Sequence, residues 1–305
     1  MKKLKLKTTI FIMIILSLLA TDFISAQFRG KGRKIIFDRN TAYYRLIVFD
    51  KNYYRYLVFG TKVYQTIMDK RYPDKLLFEY AKMIASTLYL DNNRKQALLL
   101  GLGGGAIVKY IQKYFPEMRL DIAEIDPMVI KISKKFFYTK IKNNIKAYAY
   151  DGRIFVKRIN KKYDIIMLDA FNSDYIPFHL MTKEYLNQVK RKLSYNGMVL
   201  QNIWTNNALF KRIMNTFRSV FKYVYFARGK ATSNAVIMAS NKKINLSSYN
   251  IRNAYKKFKR HNIRYSFYFK DYLNRFKLYT KPVVSSLVLT DEHAPVNYYH
   301  RRKRR

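Results

Sequence analysis

Cysteine is absent from this chain of 305 residues, histidine occurs only four times, and 19 acidic residues stand against 60 lysines and arginines. The lack of cysteine excludes disulfides, thiolate metal sites and a cysteine nucleophile. None of the histidines forms an i, i+4 ligand pair, so we expect no metal. Hydrophobic residues make up 49% of the chain, which is enough to bury one good core.

The shortage of acids leaves a net charge of +41. A field of this sign favours contact with anionic partners and disfavours self-association. We expect much of the lysine to form a solvated surface and nucleic acid not to be a partner. Contact of the basic face with an anionic membrane surface stays open as an alternative.

Residues 1–26 read as a leader, with a basic start, an apolar stretch over residues 10–20, and small residues at Ser25 and Ala26. The apolar stretch suits a signal peptide and is shorter than the ~20 residues that span a bilayer. Export is the first expectation and an uncleaved membrane anchor is the second. The predicted location is therefore membrane-associated or exported, with a cytoplasmic-facing protein as the alternative.

The rest of the chain divides into three parts. Residues 27–75 are predicted to form a small antiparallel β-domain, because residues 41–65 alternate β-branched and aromatic runs with two turns. A helix over 76–88 leads into a Rossmann-like, nucleoside-binding catalytic domain at 76–240. Residues 241–305 are predicted to be a basic C-terminal extension with a helical candidate at 251–260.

In the middle part, short apolar strands alternate with helical stretches, which indicates a mostly parallel sheet covered by helices on both faces. The last two apolar runs lie too close together for an intervening helix, so they should pair antiparallel at one edge. The predicted fold class is α/β, with the Rossmann-like architecture of S-adenosylmethionine-dependent methyltransferases. The predicted helices cover residues 105–115, 127–137, 152–159, 182–193 and 206–218.

A glycine cluster follows the first strand of this domain and fits the pattern G-x-G-x-x-A at Gly101, Gly103 and Ala106. Glycine lets the strand turn sharply and lets a ligand approach the backbone. Gly105 belongs to the same predicted cofactor-binding loop. Glu124 ends the second strand about 20 residues further on, where a carboxylate can accept hydrogen bonds from both hydroxyls of a ribose.

The third strand ends at Asp151-Gly152 and the fourth ends at Asp169. Ligands of open parallel sheets lie beyond the carboxyl ends of the strands, so these acids should converge with Glu124 on one cleft. Each acid could instead cap a helix or occupy a turn. A further carboxylate, Asp174, could bind a cationic amine, from which a neighbouring carboxylate can accept a proton during attack.

Six segments of the chain form a recognisable combination: "YRYLVFGTKVYQ", "LLLGLGGGA", "AEIDP", "YDGRIFV", "YDIIMLDAFNSDYIPFHLMTKEYL" and "LTDEHAPVN". Taken together, they resemble the spermidine synthase (polyamine aminopropyltransferase) family, and in particular its bacterial branch with an N-terminal signal or membrane segment. The resemblance implies transfer of an aminopropyl group from decarboxylated S-adenosylmethionine to putrescine, releasing spermidine and methylthioadenosine.

The resemblance also implies roles for residues. Glu124 would hold the ribose, Asp151 with Gly152 would contact the adenine, and Asp169 would act on the attacking amine. Gln65 and Asp174 would bind substrate. Family members commonly assemble through the N-terminal β-domain, so a homodimer is expected.

Three features depart from the family pattern. Gly104 stands where the glycine loop carries an acid that meets the donor's amine, and Phe78-Glu79-Tyr80 stands where the family has a Tyr-His-Glu run. Four residues separate Asp169 from Asp174, where the family has two. A methyltransferase of the same fold, using intact S-adenosylmethionine, therefore remains an alternative. A basic binding protein without catalysis is the third possibility.

Overall fold

The N-terminal part of the protein is a four-stranded antiparallel sheet. The computed structural model describes residues 32–60, 63–91, 93–171, 176–206, 209–263 and 267–293. Along the strands, alternate residues point to opposite faces: Ile47 and Phe49 form a small cluster on one face, and Leu46 and Val48 join the main core on the other. The strands pair in the order β1 (Arg33–Asn40), β2 (Arg45–Lys51), β3 (Tyr54–Phe59) and β4 (Tyr64–Asp69).

A single helix, α1 (Glu79–Thr87), connects this sheet to the larger one and runs into a 3-10 turn at Leu88–Leu90. It begins three residues later than the predicted start at 76, because Leu76 packs into the core ahead of the helix. The carboxylate of Glu79 accepts hydrogen bonds from the backbone N–H groups of Lys230 (2.9 Å) and Ala231 (3.1 Å). The start of α1 is thereby fixed to the larger sheet.

Among the described residues, the larger sheet has eight strands and a mixed direction. Strands β5 to β9 are parallel; β11 lies antiparallel beside β9, followed by β10 and β12, each antiparallel to its neighbour. The spatial order is β7-β6-β5-β8-β9-β11-β10-β12. The strands are β5 (Gln96–Leu100), β6 (Arg119–Glu124), β7 (Ile145–Ala149), β8 (Tyr163–Leu168), β9 (Leu193–Trp204), β10 (Tyr223–Arg228), β11 (Asn234–Ser240) and β12 (Lys277–Leu278).

Helices cover both faces of this sheet, and its strands are therefore buried on both sides. Leu99 and Ile122 belong to one core cluster, which includes residues of α1, α2 and α3; Leu98 and Leu100 belong to the other, which includes residues of α4, α5 and α6. The predicted fold class, a Rossmann-like sheet with a small antiparallel β-domain, is confirmed. The helices are α2 (Ala106–Tyr114), α3 (Pro127–Phe137), α4 (Gly152–Arg158), α5 (Lys183–Arg191) and α6 (Phe210–Val220).

The segment after residue 240 contributes to the same core. It forms α7 (Ser248–Arg260), α8 (Phe269–Asn274) and the edge strand β12. Phe258, Phe269 and Leu273 are buried in the core cluster that contains α1. The exposed side of α7 carries the lysines and arginines that made this segment look like a basic extension, while its buried side packs as an ordinary amphipathic helix.

The predicted location, membrane-associated or exported, is wrong. Within the described ranges, none of the helices combines the length and the apolar character needed to cross a bilayer. The leader predicted at residues 1–26 lies outside the described residues. Contact of the basic face with an anionic membrane gains no support from the described structure.

Candidate active site

The glycine loop after β5 lies directly against the end of β8. Gly101 has φ of +90°, and a Cβ atom on it would stand 2.4 Å from the carbonyl oxygen of Asp169. Its N–H donates to the carbonyl of Ala123 at 2.8 Å. A side chain at this position would meet fixed backbone, so the close approach of the three strand ends requires glycine here.

A cavity of about 350 Å³ lies at one end of the larger sheet and is here called the strand-end cavity. It is enclosed by the ends of β5, β6 and β8, by the start of α4 and by the N-terminal sheet. Most of the residues predicted from the sequence line it: Gln65, Gly101, Gly103, Glu124, Asp151, Gly152 and Asp169. Gly105 does not line it; this glycine packs against Thr139 and is the N-cap of α2. Asp174 lies outside the described residues.

Glu124 is a buried carboxylate at the end of β6. Its two oxygens accept hydrogen bonds from the backbone N–H groups of Leu102 (2.9 Å) and Asp126 (3.1 Å). Burial raises the pKa of Glu124, and these backbone hydrogen bonds oppose the rise. An ionised carboxylate has about four acceptor positions, so Glu124 keeps acceptor capacity for a diol in the cavity.

Asp151 is both a helix cap and a cavity residue. One oxygen accepts from the N–H groups of Arg153 (2.9 Å) and Ile154 (3.0 Å) at the start of α4, and the other contacts Nε2 of His179 at 2.9 Å. Burial alone would raise the pKa of Asp151, but these hydrogen bonds outweigh it and lower the pKa. His179 is therefore the partner of Asp151 and makes no described hydrogen bond to Asp169. By contrast, Asp126 caps α3 and accepts from Thr41 outside the cavity lining.

Asp169, at the end of β8, is held by two side chains from other elements. Tyr80 of α1 donates its hydroxyl to Oδ2 at 3.0 Å, and Asn202 of β9 donates its amide to Oδ1 at 2.9 Å. Asn234 of β11 in turn donates to the amide oxygen of Asn202 at 3.1 Å. Burial raises the pKa of Asp169 to about 7, against the opposing effect of both hydrogen bonds. The site thus contains a carboxylate that exchanges a proton near neutral pH.

Sequence reasoning missed Tyr80, Asn202 and Asn234. Asn202 carried a usable signal, because a polar residue stands there within the otherwise apolar strand "GMVLQNIW". A polar side chain inside a buried strand needs a hydrogen-bond partner. Tyr80 belongs to the Phe78-Glu79-Tyr80 segment that departs from the family pattern, but nothing in that segment indicated a contact with Asp169.

Gly104 is closed off from the strand-end cavity. Its N–H donates to Oγ1 of Thr66 at 2.8 Å, and its carbonyl accepts from Thr139 at 3.1 Å. A Cβ atom on Gly104 would lie 2.6 Å from Cγ2 of Thr66 and 2.8 Å from Cδ1 of Phe137. The space beside this position is therefore filled by β4 and α3.

Much of the remaining wall of the strand-end cavity is aromatic. It is formed by the turn after β1, by β3 and β4, by the start of α1, and by the ends of β8 and β9. Aromatic faces attract cations and pack against methylene chains. The aromatic residues are Tyr43, Tyr44, Phe59, Tyr64, Phe78, Tyr80, Phe171 and Trp204.

Comparison with known proteins agrees with this architecture. A family model described as the spermine/spermidine synthase domain matches residues 77–228. The polyamine aminopropyltransferase of Vibrio vulnificus is 34% identical over 213 residues, covering 67% of this chain and 71% of the relative. Fold and site thus define a Rossmann-like protein with an acidic cavity at the strand ends. The chain belongs to the spermine/spermidine synthase family, as the sequence motifs predicted.

Two solved structures show the same fold at low sequence identity. A spermidine synthase in complex with the transition state analogue AdoDATO superposes with a TM-score of 0.66 at 17% identity, covering 80% of this chain and 85% of that chain. Human methyltransferase-like protein 13, in complex with SAH, gives a TM-score of 0.55 at 21% identity, with coverage of 63% and 95%. The fold is therefore shared with both a spermidine synthase and a methyltransferase-like protein.

Proposed function

We propose that this protein transfers an aminopropyl group from decarboxylated S-adenosylmethionine to putrescine, giving spermidine and methylthioadenosine. The charge of the strand-end cavity carries the proposal. In a protein of net charge +41, its described lining contains the carboxylates of Glu124, Asp151 and Asp169 and neither lysine nor arginine. Both proposed substrates are cations, which carboxylates attract and lysine or arginine would repel.

The donor's adenosyl part suits the end of the cavity between β6 and α4. Glu124 accepts hydrogen bonds from the ribose hydroxyls, and Asp151 accepts one from the adenine amino group. Gly152, at the start of α4, lets the ring lie close to the backbone. The donor's sulfonium then lies near the glycine loop and Asp169.

Asp169 is the proposed proton acceptor. The amine nitrogen of putrescine loses a proton to the carboxylate, and its lone pair attacks the carbon next to the sulfonium. The carbon–sulfur bond breaks with its electron pair going to sulfur, so the leaving methylthioadenosine is neutral. Tyr80 and Asn202 hold the carboxylate in position, and the protein supplies alignment as well as the proton acceptor.

The pH dependence of the reaction should report on Asp169. Its pKa is raised from the ordinary 3.8 to about 7, and the proposed role requires the ionised form. We expect kcat/KM to rise with pH and to level off above about 7. Because the hydrogen bond from Asn202 lowers this pKa, Asn202→Ala should move the inflection to higher pH. An inflection near 4, or none, in the wild-type profile contradicts the role.

A methyltransferase remains the second candidate, and the missing acid in the glycine loop is the observation that favours it. Because Thr66 and Phe137 fill the space beside Gly104, this position offers no room to the donor, and the loop provides no carboxylate for the terminal amine of a decarboxylated donor. The two candidates release different nucleosides, which gives a direct test.

The test is a calorimetric comparison of the two nucleoside products. We expect methylthioadenosine to bind at least about tenfold more tightly than adenosylhomocysteine, a difference of about 1.4 kcal/mol, because the latter brings a carboxylate into an acidic cavity. Tighter binding of adenosylhomocysteine favours the methyltransferase instead. Equal loss of methylthioadenosine affinity in Glu124→Gln and in the distant Asp38→Asn would show that binding occurs elsewhere.

Restoring an acid to the glycine loop should fail. Gly104→Asp places a side chain against Thr66 and Phe137, so we expect the free energy of unfolding to fall by about 2–3 kcal/mol from overpacking. Combining it with Thr66→Ser should recover part of this loss, because Cγ2 of Thr66 is the nearest atom. Denaturant unfolding of the single and double variants measures both effects, and a Gly104→Asp protein as stable as the wild type contradicts the close packing.

The homodimer expected from the resemblance stays a prediction. A charge of +41 makes assembly of two copies costly at low salt. Sedimentation at two salt concentrations tests the prediction. A dimer should be more stable at the higher salt concentration, because salt screens the repulsion between the two copies.

A further inference from the structure

A second cavity, of about 320 Å³, lies at the opposite end of the larger sheet and is here called the basal cavity. Arg94 and Lys95 come directly before β5, and Glu117 and Met118 directly before β6. The end of α7 closes the cavity from one side. Because the strand-end cavity lies beyond the carboxyl ends of the same strands, the two cavities are separate sites.

The charge of the basal cavity is opposite to that of the strand-end cavity. Its described lining contains four cations and two acids, Asp91 and Glu117. The cations come from two distant parts of the chain, namely the loop before β5 and the last turn of α7. Such a concave concentration of positive charge attracts anions. The four cations are Arg94, Lys95, Lys257 and Arg260.

Arg94 is a largely buried cation of this cavity. Its side chain is only 8% exposed, and its Nε atom has no hydrogen-bond partner among the described residues. The guanidinium makes a long hydrogen bond to the carbonyl of Thr87 (3.3 Å) and lies 4.0 Å from the carboxylate of Asp91. Burial lowers the pKa of Arg94. A guanidinium has five N–H donors, so a buried one with so few partners can take further acceptors.

Aromatic rings form the floor of the basal cavity. His261 packs edge-on against Tyr89, with ring centroids 5.4 Å apart, and lies 5.6 Å from the tilted ring of Phe115. Tyr89 is almost fully buried, whereas Phe115 and His261 remain partly exposed. This floor offers apolar area to a planar ring beside the cations.

We propose that the basal cavity binds an organic phosphate that carries a planar ring, a ligand of the nucleotide class. The phosphate oxygens accept hydrogen bonds from Arg94 and ion-pair with Lys257 and Arg260. The ring packs against Phe115 and His261. The volume of the cavity lies within the usual range for small-molecule sites, about 300–1,000 Å³.

The experiment is a calorimetric titration of the full chain with three probes: ADP, adenosine and inorganic pyrophosphate. We expect ADP to bind most tightly, since it alone combines ring and phosphate. Lys257→Gln should weaken ADP binding about tenfold, the effect of losing one charged contact. Lys259→Gln is the matched control: it makes the same change of charge two residues away on α7, outside the cavity lining, and should leave ADP affinity unchanged.

Three results would overturn the proposal. Equal weakening in both lysine variants would show binding to net charge rather than to the cavity. Unchanged ADP affinity in Lys257→Gln would place the nucleotide elsewhere, including the strand-end cavity. If pyrophosphate bound as tightly as ADP, the planar ring would make no contribution to binding, and the ligand would not be of the nucleotide class.

Discussion

Replacement of Asp169 by asparagine is expected to lower kcat by a factor of about 10²–10⁴, the usual contribution of a positioned general base. The change removes the proton acceptor and keeps the shape of the side chain. Asparagine still accepts a hydrogen bond from Asn202, and the hydroxyl of Tyr80 can accept one from the new amide. Steady-state rates with decarboxylated S-adenosylmethionine and putrescine measure the loss.

The stability of the same variant separates catalysis from folding. Because burial raises the pKa of Asp169 to about 7, above its ordinary value of 3.8 in an unfolded chain, the ionised carboxylate destabilises the fold. That cost is complete above pH 7 and disappears as the pH falls below the ordinary value. At pH 8 the Asp169→Asn protein should therefore be at least as stable as the wild type. A variant that unfolds, or that keeps most of its activity, contradicts the assignment.

Replacement of Gly101 by alanine should have the largest effect on stability. The new Cβ atom would lie 2.4 Å from the backbone oxygen and 2.8 Å from the carbonyl carbon of Asp169, at a φ of +90°. Backbone cannot move aside as a flexible side chain can. A left-handed conformation costs about 1–2 kcal/mol and overpacking about 1–3 kcal/mol. We therefore expect a loss of about 2–5 kcal/mol in the free energy of unfolding, measured by denaturant titration.

Gly152→Ala is the matched control for Gly101→Ala. A Cβ atom on Gly152 would lie 3.5 Å from Leu100, an ordinary contact distance, and the residue begins α4. Alanine favours helix, so this variant should be at least as stable as the wild type. If both variants lost the same free energy of unfolding, the close contact between Gly101 and Asp169 would not be the cause of the loss.

The larger sheet was predictable because its strands are short apolar runs separated by amphipathic helices. Two strands of the protein could not be predicted from the sequence, namely β1 of the N-terminal sheet and β12 of the larger sheet. β1, with the sequence "RKIIFDRN", mixes charged and apolar residues without a clean alternation and is only partly buried. β12 contains two residues and is defined by its backbone pairing with Tyr225 and Phe226 of β10. Such a pairing leaves no pattern in the local sequence.

The site was predictable where position in the fold decides it. Acids at the ends of parallel strands must converge, and Glu124, Asp151 and Asp169 do line one cavity. The environment of Asp169 was not predictable, since Tyr80 stands 89 positions away in the chain and Asn202 stands 33 positions away. Burial and these two contacts decide the proton affinity of the carboxylate, and both depend on tertiary packing.

One measurement tests the central claim most directly: mass-spectrometric analysis of the products that the purified protein forms from putrescine with decarboxylated or with intact S-adenosylmethionine. We expect spermidine and methylthioadenosine in equal amounts from the decarboxylated donor, and no transfer from the intact one. The same reaction with Asp169→Asn should give at most about a hundredth of the wild-type rate. A methylated product with adenosylhomocysteine from the intact donor, and no spermidine from the decarboxylated one, would contradict the account.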